Sequence, residues 1–389
     1  MILGIDASNL RTGGGVTHLT ELLRAANPAE QGFSQVIVWS GQATLKRIED
    51  HPWLVKRTEL VLEKNFLHRA LWQRKPLGLR AKAEHCDVLF VPGGSFATSF
   101  RPVVTMSRNL LPFEWRELMR YGWSTFSLKL ALLRWSQSRS FRRANGTIFL
   151  TQYAQDAVLK VTGALPGQTT TIPHGIDRRF FQPPHVQRPL VEYSDAQPFR
   201  LIYVSIIDTY KHQWQVAEAV AKLRAKGLPV VLELIGPAYP PALARLHRTL
   251  NRVDRGSEFI RYLGAAPHAE LHTRYAQADV CVFASSCENM PNILLEGMAS
   301  GLPIACANRG PMPEILGDAG VYFDPERPAE IAAALEPLIA DPALRTCCAE
   351  GAYMKAQAYS WERCAHETFG FLKRIALDYN EGARRKAKG

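Results

Sequence analysis

Residues 283–310 read FASSCENMPNILLEGMASGLPIACANRG and combine apolar segments with two isolated acids. The strand pattern DVCVFA ends at Ala284, Pro291 suits the first position of a helix, and PIACA follows as a second apolar strand. A strand, a helix and another buried strand predict a parallel β–α–β unit. Glu288 then lies in the loop before the helix, and Glu296 lies inside the helix.

The same alternation of strand and helix patterns extends along most of the chain. Its apolar strand patterns are MILGIDA, SQVIVW, DVLFVP, PVVTM and GTIFL in the first half, and RLIYVS, VVLELIG, FIRYLG, DVCVFA, PIACA and GVYFD in the second. Amphipathic helical patterns such as VTHLTELLRAA and QWQVAEAVAKLRAKG separate them. This arrangement predicts an α/β fold with doubly wound parallel sheets that helices cover on both faces.

The 389 residues exceed a single ordinary core, so two domains are expected. The strand pattern restarts at Leu201 after the proline-rich segment FFQPPHVQRPLVEYSDAQPF. We therefore predict an N-terminal Rossmann-like domain over 1–180, a linker over 181–199 and a C-terminal Rossmann-like domain over 200–365. A helix that crosses back and a basic tail are predicted over 366–389.

The composition places bounds on partners and compartment. A net charge of +11 and a pI near 9.4 favour an anionic partner, although basicity also serves solubility. The seven cysteines show no metal-ligand spacing and are typical of reduced thiols. No secretory signal and no apolar run of about 18 residues is present in the sequence. These features predict a cytoplasmic protein, with the inner face of the cytoplasmic membrane as an option.

In parallel sheets, ligands bind beyond the carboxyl ends of the strands, so functional residues are expected at the strand-to-helix junctions. Gly13, Gly14 and Gly15 follow the first strand, where glycine lets backbone amides approach a phosphate or sugar. The run is not a GxGxxG motif, and a flexible turn is the commoner explanation of three glycines. Lys211 lies between a strand and a helix and can meet a phosphate; a solvated lysine in the first helical turn is the alternative.

The amides of Asn289–Ile293 point toward the predicted crevice and form a candidate anion site. Carboxylates on either side of such a site suit hydroxyl groups rather than phosphate. We therefore assign Glu288 to the hydroxyls of a transferred sugar and Glu296 to those of a ribose. The alternative is a helix N-terminus carrying acids that its dipole favours.

ENMPNILLE with GMASGLP resembles the E-x7-E region of the family 4 retaining glycosyltransferases, which have the GT-B fold. Further matches are the glycine turn at 13–15, IPHGID at 172–177, Lys211, LIGP at 234–237, YLGAAPHAELHTRYAQADV at 262–280, and YSWERCAHETFGFL. The resemblance covers nearly the whole chain. It implies two Rossmann-like domains facing across a cleft, with C-terminal helices returning to the N-terminal domain.

The resemblance also implies a nucleotide-sugar donor and a set of site residues. By position, Lys211 binds the diphosphate, Gly14 and Gly15 approach the phosphate, and Glu296 contacts the ribose. Glu288 contacts the donor sugar, and the segment Asn289, Met290, Pro291, Asn292 and Ile293 supplies amides. Such enzymes resemble one another in needing no metal, with lysine and helix dipoles stabilising the leaving diphosphate.

Two positions depart from the family pattern. Ile206 stands where an arginine is common, and Arg309 is a candidate replacement, with a helix-capping or surface role as the alternative. Arg108 and Asn109 stand where many members have a histidine near the transferred sugar, which makes Asn109 the preferred sugar contact. His174 replaces the commoner asparagine in IPHGID and is interpreted as structural.

Residues 110–143 interleave tryptophans with many arginines and lysines and contain Trp115, Trp123 and Trp135. This pattern suits the headgroup region of an anionic membrane and a lipid-linked acceptor. Packing of the apolar face on the N-terminal core is an equally good and compatible interpretation.

We interpret the chain as a glycosyltransferase of bacterial cell-surface glycan synthesis, either lipopolysaccharide O-antigen or exopolysaccharide, with a mannose-like donor sugar. The acceptor is lipid-linked or a polysaccharide. A catalytically silent GT-B partner subunit and a sugar-nucleotide epimerase of GT-B shape are the alternatives. Nucleic-acid binding matches the charge but not the acids at the strand ends. The nucleobase, linkage and oligomeric state stay open.

Overall fold

The computed structural model describes residues 1–11 and 13–388, with side chains through residue 385. The chain forms two compact units. The N-terminal unit contains Met1–Trp115, Trp123–Gly175 and the chain from Ser360 onward, and the C-terminal unit contains Arg116–Gly122 and Ile176–Tyr359.

The N-terminal unit is built on a parallel sheet. Its strands are β1 Ile2–Asp6, β2 Gln35–Trp39, β3 Leu54–Arg57, β4 Val88–Val91, β5 Val103–Met106, β6 Gly146–Phe149 and β7 Gln168–Thr171. Their order is β3-β2-β1-β4-β5-β6-β7, and every pair is parallel. The central strands β4, β5 and β6 are buried throughout, as apolar strands covered on both faces must be.

Helices connect these strands. They are α1 Gly14–Arg24, α2 Gln42–Leu45, α3 Phe66–Arg74, α4 Pro76–Ala83, α5 Trp115–Met119, α6 Thr125–Arg143 and α7 Gln152–Thr162. Short 3₁₀ turns occur at Pro28–Gln31, Leu60–Glu63, Arg178–Phe180, Leu190–Glu192 and His268–Glu270. Most of α5 groups with the C-terminal unit, although both flanking segments belong to the N-terminal unit.

The C-terminal unit repeats the architecture. Its strands are β8 Phe199–Val204, β9 Val230–Ile235, β10 Ile260–Tyr262, β11 Val280–Phe283, β12 Ile304–Ala307 and β13 Val321–Phe323, in the parallel order β10-β9-β8-β11-β12-β13. Its helices are α8 Gln213–Ala225, α9 Pro240–Val253, α10 Leu271–Tyr275, α11 Asn292–Ala299, α12 Met312–Leu316, α13 Pro328–Ala340 and α14 Pro342–Ala356.

The last helix, α15 Trp361–Lys388, belongs to the N-terminal unit and packs on α1 and β4. The indole of Trp361 lies edge-on to His18, with ring centroids 5.5 Å apart. The prediction that the C-terminal helix returns to the N-terminal domain is therefore confirmed. The predicted basic tail is helical through Lys388, within the part of the chain that is described.

The doubly wound parallel architecture is confirmed, and the strand patterns predicted from the sequence correspond to strands. The apolar strand patterns do not include β3 and β7, the two edge strands of the N-terminal sheet. β7 has the sequence QTTT and is only partly buried, so it carries no apolar run to recognise. The two units change over at Gly175–Ile176 and Tyr359–Ser360, a few residues before the predicted positions 180 and 365.

Gly175 and Gly382 provide a matched pair for testing how α15 is anchored. A Cβ atom at Gly175 would lie 2.3 Å from the backbone nitrogen of Trp361, whereas one at Gly382 meets nothing within 4 Å. We expect Gly175→Ala to lower the free energy of unfolding by about 1–3 kcal/mol through overpacking. Gly382→Ala should leave it unchanged or raise it by up to about 1 kcal/mol, because alanine favours helix. Urea unfolding followed by circular dichroism measures both, and equal effects of the two variants would contradict this packing.

Candidate active site

The C-terminal sheet has a topological switch point between β8 and β11. The chain continues from β8 to β9 on one side and from β11 to β12 on the other, so the loops after these two strands diverge and leave a crevice. Lys211 lies in the loop after β8, and Glu288 lies in the loop after β11. The Ser286 amide donates to the Tyr210 carbonyl at 2.8 Å and joins the loops.

Lys211 is a buried cation rather than a solvated lysine. It is 4% exposed and precedes α8, so the alternative of a solvated lysine in the first helical turn is wrong. Its ammonium group forms an ion pair with the Glu288 carboxylate and lies 5.1 Å from the ring centroid of Tyr210 and 5.2 Å from that of Phe283. A buried charge without a partner is strongly unfavourable, so pairing with Glu288 stabilises Lys211.

The segment between the two acids leads into α11. Asn289, Met290 and Pro291 are buried, and α11 begins at Asn292, one residue after the predicted first helical position. Within the described residues, no side chain caps this helix and no acid lies in its first turn. The Leu294 and Leu295 amides donate to the Pro291 carbonyl, at 3.0 and 3.3 Å. The uncapped N-terminus that precedes them, with the amides of Asn292 and Ile293, is the arrangement that attracts anions.

Glu296 lies on α11, is buried, and has one oxygen occupied. His268 Nε2 donates to its Oε1 at 2.9 Å, while Arg179 Nη2 donates to His268 Nδ1 at 2.7 Å. Glu296 Oε2 is buried and has no partner within the described chain. Burial raises the pKa of this carboxyl group, and the bond from His268 opposes the rise. A carboxylate with one open acceptor oxygen suits a ligand hydroxyl.

His268 and Arg179 were not predicted from the sequence as site residues. His268 lies within the matched segment 262–280, but only the fold brings it to Glu296. Arg179 follows the segment IPHGID and lies in a 3₁₀ turn. Both residues lie far from Glu296 in the sequence, so no local sequence pattern indicates that they belong to the same site.

A second network of hydrogen bonds and ion pairs connects the segment 116–122 to the strand ends of the C-terminal unit. No local sequence pattern predicts this network. Ser286 Oγ donates to Glu117 Oε2 at 2.6 Å, and Tyr121 Oη donates to Asp208 Oδ1 at 2.8 Å. Arg120 forms ion pairs with Glu117 at 2.7 Å and with Glu326 at 2.8 Å. The segment 116–122 therefore binds the loops that follow β8, β11 and β13.

His212 belongs to this network. Its Nε2 lies 2.9 Å from Ser286 Oγ, and burial lowers the pKa of the imidazole to about 4. His212 is therefore neutral at physiological pH and positions the Ser286 hydroxyl without adding charge.

In the N-terminal unit, the glycine turn and Arg108 come together at the carboxyl ends of the strands. Gly13 caps α1 with φ 70°, a conformation that favours glycine. A Cβ atom at Gly15 would lie 2.9 Å from Arg108 Nη1, so the glycine leaves room for the guanidinium. Asn109 is exposed and its Oδ1 accepts from the Leu111 amide at 3.1 Å, which commits that oxygen to a local turn.

Two further residues from the sequence analysis have structural partners. His174 is buried, with its Nδ1 2.8 Å from His18 Nδ1, which agrees with the structural interpretation. Arg309 donates to Asp324 at 2.7 Å, so its charge is already paired.

Comparison with known proteins identifies the family. A model described as Glycosyltransferase Family 4 matches residues 12–180, and one described as Glycosyl transferases group 1 matches residues 198–341. The chain belongs to the family 4 glycosyltransferases. The resemblance inferred from the sequence is thereby confirmed.

Curated relatives match this glycosyltransferase over part of their length. The O-antigen chain mannosyltransferase B of Escherichia coli is 34% identical over 123 residues, which are 31% of this chain and 32% of that protein. The D-inositol 3-phosphate glycosyltransferase of Kineococcus radiotolerans is 29% identical over 246 residues, which are 57% of this chain and 55% of that protein. The chain thus spans about a third and about half of these two relatives.

Solved structures show the same fold. One is HepE of Anabaena in complex with UDP and glucose, with a TM-score of 0.67 at 19% sequence identity. The superposition covers 98% of this chain and 100% of the HepE chain. WaaG, a glycosyltransferase involved in lipopolysaccharide biosynthesis, has a TM-score of 0.67 at 15% identity and covers 96% and 99%. The predicted GT-B fold is confirmed. No helix in the described part of the chain is long and apolar enough to cross a membrane.

Glu296→Gln tests the burial of this carboxylate in the ligand-free protein. Because burial raises its pKa, Glu296 contributes stability only while protonated, and that contribution is lost as pH rises above the ordinary value of 4.5. We expect Glu296→Gln to raise the Tm at pH 7 by about 2–4 °C for each kcal/mol regained. The difference from wild type should shrink toward pH 4, as differential scanning fluorimetry can measure.

Glu336, which is partly exposed and pairs with Lys226, supplies the control. Glu336→Gln should not raise the Tm at pH 7. A wild-type Tm above that of Glu296→Gln at pH 7 would show that the His268 bond outweighs desolvation.

Proposed function

We propose that this glycosyltransferase moves a sugar, with retention of anomeric configuration, from a nucleoside-diphosphate sugar to a lipid-linked or polysaccharide acceptor of bacterial cell-surface glycan synthesis. The observation that carries the proposal is the ion pair between buried Lys211 and partly buried Glu288 at the switch point, beside the uncapped N-terminus of α11. The combination of a cation, an uncapped helix N-terminus and a carboxylate supports a site for a diphosphate with an adjoining sugar.

In this proposal each group has a distinct task. The sugar hydroxyls donate to Glu288, which releases Lys211 to the diphosphate. The ribose hydroxyls donate to the open oxygen of Glu296. The amides of Asn289–Ile293 add dipolar stabilisation of the leaving diphosphate, because positive charge aimed at developing negative charge lowers the barrier.

The activities of the relatives guide the choice of donor and acceptor. The Escherichia coli relative is an O-antigen chain mannosyltransferase, which supports a mannose-like sugar and a cell-surface acceptor. The HepE structure contains UDP and glucose. The nucleotides to be tested therefore include uridine as well as guanosine diphosphates. We propose Asn109 as the contact of the transferred sugar, because Arg108 and Asn109 stand where many family members have a histidine near that sugar.

We further propose that transfer needs no divalent metal. The Lys211 ammonium group and the first turn of α11 supply positive charge at the diphosphate position, which is one of the tasks a metal ion performs elsewhere.

The two acids should fail in different ways. Each acid is replaced by glutamine, which keeps the size of the side chain. Alanine at Glu288 would remove both the charge and the side chain that lie beside the buried Lys211. Glu296→Gln should weaken nucleoside-diphosphate binding by about 10–100-fold through loss of a charged hydrogen bond. Glu288→Gln should keep nucleotide binding within a few fold but lower kcat by about 100-fold or more. Calorimetry with UDP, GDP, ADP and CMP and a transfer assay in EDTA measure these effects.

Glu336→Gln again serves as the matched control and should change neither quantity. Equal effects of Glu288→Gln and Glu296→Gln on nucleotide binding would contradict the assigned roles. Nucleotide binding without any transfer would favour the silent partner subunit, and loss of transfer in EDTA would contradict the metal-free proposal. Interconversion of sugar nucleotides would favour an epimerase.

Helix α6 presents an apolar and basic surface that suits an anionic membrane. Leu128, Leu132 and Trp135 lie on one face of the helix and are at least 60% exposed. The helix carries Lys129, Arg134, Arg139, Arg142 and Arg143 and has no acid along its length. We propose that this surface binds the membrane in which a lipid-linked acceptor lies.

The structure narrows the segment 110–143 that the sequence had indicated. Arg116 and Arg120 form ion pairs with Glu326, and Leu110 and Phe113 are buried. Both basic residues of the segment 116–122 are therefore paired, and the proposed membrane surface is confined to Trp123 and α6.

Removal of charge from α6 should weaken membrane binding. The double variant Lys129→Gln with Arg139→Gln should bind phosphatidylglycerol vesicles about 30-fold more weakly, at about 1 kcal/mol for each basic residue. Cosedimentation with vesicles that contain or lack phosphatidylglycerol measures this. Val191→Ser, at a residue 91% exposed in the C-terminal unit, controls for loss of exposed apolar surface. Unchanged binding of the double variant would contradict the proposal.

A further inference from the structure

A group of arginines lies at the amino edge of the N-terminal sheet, away from the carboxyl ends of its strands. Arg142 and Arg143 are in the last turn of α6, Arg139 lies one turn earlier, and Arg101 precedes β5. No carboxylate in the described part of the chain forms an ion pair with any of these four side chains. The group therefore carries positive charge that the protein itself does not neutralise.

These arginines line two adjoining recesses. The larger, of about 410 Å³, lies between Arg142, Arg143, the residues that precede β6 and β7, and α15. The smaller, of about 280 Å³, lies along α6 and is lined by Trp135, Ser138, Arg139 and the same two arginines. Together they form the arginine recess. The larger volume is within the range of small-molecule sites, about 300–1,000 Å³.

The hydrogen bonds of these arginines go to neutral groups. Arg142 Nε donates to the Thr162 carbonyl at 3.1 Å, and Arg101 Nη1 donates to the Phe100 carbonyl at 2.7 Å. Arg143 is partly buried and has no hydrogen-bond partner among the described residues. Burial lowers the pKa of Arg101, and the neighbouring charge of Arg143 lowers it further. Charges of the same sign thus lie close together, which favours an anion between them.

Two other polar side chains line the arginine recess. Asp378 on α15 accepts from the Gln168 side chain at 2.7 Å and forms no ion pair within the described chain. Ser138 is 6% exposed, and its enclosed hydroxyl has no hydrogen-bond partner among the described residues. A buried hydroxyl without a partner is unfavourable, and an oxygen of a ligand could accept its hydrogen bond.

The recess continues the apolar face of α6. Leu128, Leu132, Trp135, Arg139 and Arg142 follow one another at intervals of three or four residues, so they lie along one face of the helix. This face begins with exposed leucines and ends in the arginines of the recess. Tryptophan beside cations suits the boundary between the headgroups and the acyl chains of a membrane. This continuity favours a lipid over a soluble phosphate compound.

We propose that the arginine recess binds the phosphate group of an anionic membrane lipid. The guanidinium groups of Arg142 and Arg143 donate to the phosphate oxygens, since a planar guanidinium matches two oxygens of one phosphate. Trp135 contacts the glycerol and the first part of the acyl chains. The proposal rests on the membrane surface of α6 given in the proposed function, and it adds a site for a single lipid molecule to that surface.

A soluble lipid tests the recess without a membrane surface. Full-length protein is titrated by calorimetry with dihexanoyl phosphatidylglycerol below the concentration at which it forms micelles. Arg143→Gln should weaken binding by about 10–100-fold, the usual effect of losing hydrogen bonds to a charged group. Arg143→Lys should recover only part of the loss, because lysine cannot bind two oxygens in a fixed plane.

Ser138→Ala is a second variant that keeps the test valid if Arg143→Gln does not fold. Removal of a buried hydroxyl without a partner should leave the Tm unchanged or raise it, and alanine favours helix. The same variant should bind the soluble lipid several-fold more weakly. Arg47→Gln is the matched control, because Arg47 is exposed between β2 and β3, toward the other side of the sheet, and this variant should bind as wild type does.

Inorganic phosphate separates a lipid headgroup from a free phosphate compound. If the ligand is a lipid, dihexanoyl phosphatidylglycerol should bind at least about tenfold more tightly than inorganic phosphate, because only the lipid contacts Trp135. Trp135→Ser should then weaken binding of the soluble lipid but not of inorganic phosphate. Inorganic phosphate that binds as tightly as the soluble lipid, with no effect of Trp135→Ser on either, would overturn the lipid assignment.

The proposal is also overturned if wild type does not bind the soluble lipid, or if Arg143→Gln and Ser138→Ala bind it as wild type does. An equal loss in Arg47→Gln would contradict it as well, because the effect would then come from general charge. Arg143-dependent binding of the soluble lipid by a chain that does not sediment with vesicles would support the recess while refuting the proposed membrane surface. None of these measurements depends on sugar transfer.

Discussion

The ion pair between Lys211 and Glu288 joins the two loops that diverge at the switch point of the C-terminal sheet. Each charge is costly to bury alone, and each is satisfied by the other. The Ser286–Tyr210 backbone hydrogen bond and the contacts of Glu117 and Tyr121 hold the same loops. The crevice is therefore organised before any ligand arrives. A ligand that enters must replace the partner that each charged group loses.

Under the proposed function, this exchange restricts which ligands can bind. A sugar alone can satisfy Glu288 but leaves Lys211 buried and unpaired, and a phosphate alone can satisfy Lys211 but leaves Glu288 unpaired. A diphosphate joined to a sugar satisfies both. Glu296 has a different environment, because His268 occupies one oxygen and burial raises its pKa. It favours a neutral hydroxyl over an anion, which fits a ribose rather than a phosphate.

The sequence predicted what depends on local pattern. Buried strands such as VCVF in β11 and IACA in β12 are continuous apolar runs, and the helix after Pro291 begins beside a residue suited to its start. Edge strand β7 was missed because half-exposed threonines carry no such signal. Arg179, His268 and the segment 116–122 were missed for another reason. Their contacts join residues distant in sequence, and only the three-dimensional arrangement defines them.

Arg108 departs from the family pattern. The structure helps to interpret this departure, because it shows which cations have carboxylate partners. From the sequence alone, Arg108 was known only to stand where many family members have a histidine. In the structure, Lys211, Arg120 and Arg309 each have a carboxylate partner, whereas Arg108 faces the N-terminus of α1. A paired cation must exchange one partner for another, so it contributes mainly to specificity. A partly buried cation without a partner gains a favourable interaction when an anion binds, so it contributes to affinity.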